Sequence, residues 1–107
     1  MENTELIRSI NTGLDLELSQ NFSADQLLTA LSSHINHLIE HDFEKLVAYL
    51  YRVDVSESKL KAMLQQHPQE DAGHIIALLI VERLEQKIKT RQSFKHRDNS
   101  IDEEEKW

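Results

Sequence analysis

Seven consecutive apolar residues, Ile75-Ile-Ala-Leu-Leu-Ile-Val81, stand in a chain that is otherwise polar, and the rest of the sequence has to cover them. A run of this length bounded by His74 and Glu82 fits a buried strand or the middle of a buried helix. The downstream flank selects the helix. From Glu82 the chain continues Arg83-Leu-Glu-Gln-Lys-Ile-Lys89, a series of helix formers free of Gly and Pro.

At 100° per residue, Ala72, Ile75, Ile76 and Leu79 gather on one side of that helix, and Ala77, Val81, Leu84 and Ile88 on the other. A surface helix needs one covered stripe; this one has two. Each large aliphatic side chain withdrawn from water contributes roughly 1.5 to 3 kcal/mol, so an uncovered stripe would forfeit several such increments and leave an apolar patch. Two covers are open: the chain's own helices, or a second molecule. The expectation is that the first stripe faces the chain's own helices and that Ala77, Val81, Leu84 and Ile88 form an interface with a second copy or another helical protein.

With 107 residues the chain has the size of one domain, and two Gly and one Pro argue against a turn-rich β fold. The expected class is all-α, a small bundle of about four helices with a central apolar helix. The absence of Cys excludes disulfide scaffolds and thiol chemistry and fits a cytoplasmic location. The first residues, Met1-Glu-Asn-Thr-Glu5, lack the charge and apolar segment of a signal peptide, and a seven-residue run falls far short of the ~20 residues that span a bilayer.

Residues 1–22 read as a partly ordered N-terminal arm. Thr4 is a candidate cap for a short helical turn through Ile10; Asn11-Thr-Gly13 reads as a break, and Leu14, Leu16 and Leu18 alternate with acids as in an extended segment. A helical domain follows over 23–94. Ser23 caps its first helix, and Asp42 breaks a stripe that would otherwise run Ile35, Ile39, Phe43, Leu46, Leu50, Val53. Ser56 caps the next helix, which Pro68 stops unless it opens the following one. Glu70 and Asp71 place negative charge at the start of the apolar helix, where Gly73 leaves room for a neighbouring helix to approach. Residues 95–107 read as a charged, disordered tail.

The stretch His37 to Lys61, with its Asp-Phe, Lys-Leu-Val, Leu-Tyr-Arg and Asp-Val-Ser-Glu elements, together with Ile75 to Ile88, resembles a group of small uncharacterised bacterial helical proteins. The resemblance covers about half the chain. It implies a compact helical domain and brings no activity, cofactor or catalytic residue with it.

Charge is unevenly distributed within the formal net of −7. Lys87, Lys89, Arg91, Lys95 and Arg97 form a basic segment between an acidic body and an acidic end. Cations in the last turns of a helix meet its negative pole, which explains the segment without nucleic acid. A helix-turn-helix around residues 43–65 is also weak, since four cations against three acids neutralise few phosphates. His34, His37 and His41 have the three- and four-residue spacing of metal ligands on one helix flank, and are weighed against ordinary boundary histidines. No nucleophile elbow or phosphate-cradling glycine loop occurs. The sequence therefore predicts a non-enzymatic, homodimeric interaction module that needs no cofactor, with a metal-responsive bundle as the alternative.

Overall fold

Five helices account for the chain's regular structure in the computed structural model, which describes residues 4–101, with side chains through Arg91. They are α1 (Thr4–Leu14), α2 (Ala24–His41), α3 (Phe43–Val53), α4 (Glu57–Gln66) and α5 (Ala72–Ile101). No strand occurs among the described residues, so the protein is all-α. The helix beyond the expected four is α1. It passes straight through Asn11-Thr-Gly13 and buries Leu6, Ile7, Ile10 and Leu14, which share one face.

Asp15 ends α1 with a φ of 57°, in the left-handed region. Asn11 then braces the next residues from within the helix: its Nδ2 donates to the Leu18 carbonyl at 3.1 Å and its Oδ1 accepts from the Leu18 amide at 2.9 Å. Leu16, Leu18 and Phe22 consequently lie against the core.

The helix starts obey local side-chain chemistry. Ser23 accepts from the Gln26 amide while the Gln26 side chain accepts from the Ser23 amide, a reciprocal capping box. Asp42 leaves the helical region at φ −156° and ψ 65°, and its side chain accepts from the Lys45 amide at 3.3 Å, which makes the expected break real. Ser56 caps α4 in the same manner. Pro68 stands in the turn after α4, past its final residue Gln66.

The break at Asp42 also shifts the phase of α3 relative to α2. Phe43 does not continue the Ile35 and Ile39 stripe, as the unbroken spacing suggests; it is 58% exposed, while Leu46, Tyr49 and Val53 turn inward.

Helix α5 touches each of the other four helices, α2 most extensively. Asp71 fixes its start. One carboxylate oxygen accepts from the His74 amide at 3.0 Å, and both oxygens accept from Asn36 Nδ2 on α2, at 3.0 and 2.8 Å. Gly73 faces the same Asn36 side chain, and a Cβ there would come within 2.6 Å of it. Close approach, rather than a turn, is what this glycine permits. The helix continues to Ile101, so residues 95–101, expected to belong to the tail, extend α5; residues 102–107 of that tail lie outside the described residues. No described helix is long and apolar enough to cross a membrane.

Candidate functional site

The stripe expected to meet a partner lies inside the chain. Ala77, Leu84 and Ile88 are buried and belong to one core cluster with Leu6, Ile7, Ile10 and Leu14, and Val81 is half-buried against that cluster. The cover that α5 requires on this side comes from its own chain, with α1 packed against it and Glu5 paired to Arg91. These four residues therefore offer little surface to a second molecule. The sequence leaves open whether the first 22 residues are a partly ordered arm or dock their leucines and Phe22 on this stripe or on a partner; in the fold they pack on the core that contains it.

His34, His37 and His41 do come together, as a column along α2. The His34 and His37 rings are stacked with centroids 6.1 Å apart, and the His37 and His41 rings are tilted at 4.6 Å. Stacking is the wrong geometry for a shared ligand, because a metal needs nitrogen lone pairs converging on one point at about 2 Å. Among the described residues no group of three His, Asp or Glu side chains is arranged to hold a metal ion. The expected trio is thus a ring column. His34 sits deepest. Its Nε2 is buried with no hydrogen-bond partner, and desolvation, followed by the nearby charges of His37 and Lys45, pushes its pKa below the usual histidine value.

Of the four cations in the α3–α4 segment, Lys45, Lys59 and Lys61 are engaged, while Arg52 forms no ion pair among the described residues. Lys59 pairs with Glu82 at 2.9 Å and Lys61 with Glu57 at 3.7 Å, so phosphate contact there would have to displace carboxylates.

What the fold leaves open is the outer face of α3. Phe43, Val47 and Tyr51 are spaced by four residues and fall within about 80° of one another around the helix. Phe43 is 58% and Tyr51 74% exposed, with Val47 half-buried between them. Leu78 on α5 is the other large exposed apolar side chain among the described residues. The sequence held the signal for the α3 stripe in its spacing of four, but the continuous Ile35-to-Val53 pattern masked it.

On its inner side α3 meets α1 at a point of close approach. The Tyr49 ring lies on Gly13, where a Cβ would come within 2.3 Å of Cε1. Tyr49 is 4% exposed and its hydroxyl has no hydrogen-bond partner among the described residues. Burial pushes its pKa up to about 12, against a smaller opposing pull from the Arg52 charge. A cavity of about 470 Å³ opens beside this ring between α1, α3 and α5.

Comparison with family models, with curated proteins and with solved structures finds no match. The resemblance of residues 37–61 and 75–88 to small bacterial helical proteins therefore rests on the quoted residues alone.

Proposed function

We propose that this protein is a small, non-enzymatic protein–protein interaction module of the cytoplasm, homodimeric through the outer face of α3, and built on α5 as its central apolar helix. The observation that carries the reading is the exposed Phe43, Val47 and Tyr51 stripe. Among the described residues most other large apolar side chains are withdrawn from water, nine of them fully buried, yet two aromatics of one helix are left exposed. Aromatic side chains are enriched at the centres of interfaces, because they bury a large area at a small cost in rotamer freedom.

The stripe also suits self-pairing. A two-fold axis through Val47 would run two α3 helices antiparallel and place Phe43 of one copy beside Tyr51 of the other, so one surface serves both partners. Because these side chains are exposed in the single chain, changing them leaves the core intact. The face on α5 formed by Ala77, Val81, Leu84 and Ile88 has the opposite property, since a charge there would be buried.

Light scattering behind size exclusion tests the proposal at ~100 μM protein, where mass action favours association. The unaltered chain is expected to run as a dimer and Tyr51→Glu as a monomer, with the two melting temperatures converging on dilution. A strict monomer for the unaltered chain, or a dimer insensitive to both Phe43→Glu and Tyr51→Glu, overturns it.

A further inference from the structure

The cavity beside Tyr49 is ringed by positive charge in a chain whose formal net charge is −7. Three helices contribute: Arg8 from α1, Arg52 from α3, and Lys87 and Arg91 from α5. Among the described residues Arg8, Arg52 and Lys87 form no ion pair, nor does Lys89 outside the cavity lining, whereas Lys45, Lys59, Lys61 and Arg83, also outside it, are each paired with a carboxylate. Arg91 pairs with Glu5, which also lines the cavity, so the site keeps a net surplus of cations.

The helix dipole explains Arg52, which stands in the last turn of α3, but not the rest of this gathering. Cations near a helix C-terminus are stabilised over the last turn. Lys87 and Arg91 lie ten or more residues before Ile101, where α5 ends. Convergence of like charges opposes folding, and an anion bound among them reverses the sign of that interaction. Below the cationic rim the lining turns apolar, with Gly13, Val53, Leu84 and Ile88 beside the ring of Tyr49.

We propose that this cleft between α1, α3 and α5 is a binding site for a small phosphorylated molecule, with Arg8, Arg52 and Lys87 on the phosphoryl group and the apolar floor against its organic body. Guanidinium forks match phosphate oxygens in pairs, which favours a phosphoryl group over a single carboxylate. The volume of about 470 Å³ lies in the range of small-molecule pockets and exceeds what a bare phosphate fills. The site stands on the side of α3 away from the aromatic stripe and does not depend on the oligomeric state.

Isothermal titration at low salt, with sodium pyrophosphate, AMP, adenosine and citrate as separate probes, tests the assignment. Pyrophosphate and AMP are expected to bind with Kd below ~1 mM and to weaken as salt is added, while adenosine shows no heat of binding. Arg52→Glu and Lys87→Glu should each weaken binding by about tenfold or more, the loss expected when one charge-assisted contact becomes a repulsion. Lys61→Glu, outside the cleft, should bind as the unaltered chain does, and circular dichroism should show all three variants folded. No binding of pyrophosphate or AMP up to ~5 mM, or equal weakening by Lys61→Glu, overturns the site. Citrate binding as tightly as pyrophosphate overturns the phosphoryl assignment.

Discussion

Replacing Gly13 by Ala sets two effects of similar size against each other, and the structure decides the sign. In a helix interior the change from Gly to Ala stabilises by about 1 kcal/mol, through helix propensity and a less flexible unfolded chain. Gly13 lies in α1, so that gain is available. However, the added Cβ would come within 2.3 Å of Tyr49 Cε1 and 3.1 Å of Cδ1. An ordinary contact begins near 3.4 Å, so the ring must retreat by about 1.1 Å. Tyr49 is a rigid aromatic, 4% exposed, held in the core cluster between α1 and α5, and cannot swing aside as the end of a flexible chain would. Overpacking of this kind costs about 1–3 kcal/mol. The net expectation is a loss of about 1 kcal/mol, which lowers the melting temperature by about 4–8 °C in a domain of this size. Thermal and urea unfolding monitored by circular dichroism measure it. In a Tyr49→Leu background the clash is relieved, and the same Gly13→Ala change should stabilise, giving a coupling of at least ~1 kcal/mol across the cycle. A gain of about 1 kcal/mol in both backgrounds would refute the close approach of α1 and α3.

Other polar groups give measurable outcomes of their own. Tyr49→Phe removes a buried hydroxyl without a partner and should stabilise the free protein by about 1 kcal/mol. The unfolded tyrosine loses its proton near 10 and the folded one near about 12, so stability should fall as pH rises past 10, and this loss should be absent in Tyr49→Phe, read from urea midpoints. His34 has its pKa lowered by folding, so the unfolded chain binds more protons below about pH 6.5; stability should drop on acidification through that range, with a smaller drop in His34→Gln. Asp71→Ala removes both the cap of α5 and the acceptor of Asn36, and should cost about 1–2 kcal/mol in urea unfolding, with the Asn36→Ala change adding little once Asp71 is gone.

The features legible in the sequence were those decided within a few residues. Ser23, Asp42 and Ser56 each satisfy the amide three positions ahead, and the acid at 71 meets the amide of His74. Such bonds need no knowledge of the rest of the chain. Misread features were those decided by distant partners. Gly13 resembles a helix break locally, yet it stands within α1 because the Tyr49 ring, 36 residues later, occupies the space of a side chain. Phe43 resembles a core position until the dihedral angles of Asp42 rotate it outward. The cover of Ala77, Leu84 and Ile88 stayed undecided because the N-terminal segment, with α1 looking too short, read equally as a loose arm or as a docked one. The charges around the proposed anion site come from residues 8, 52, 87 and 91, and the sequence places only the last two near each other.

The contact between Asn36 and the start of α5 works as an index mark on two sliding rods. Helices packed along apolar stripes tolerate displacement by a whole turn, since ridges and grooves repeat. Asp71 admits one alignment: Asn36 must stand level with the α5 N-terminus to reach both carboxylate oxygens, and level with Gly73 to find room. A shift of one turn would set Ile76 or Ala77 opposite Asn36, with a side chain where the glycine leaves none. The partners are 35 residues apart, so the contact closes a segment that carries both α3 and α4. Axial register, which the continuous greasy run of α5 leaves ambiguous, is thereby settled by one amide, one carboxylate and one missing methyl group.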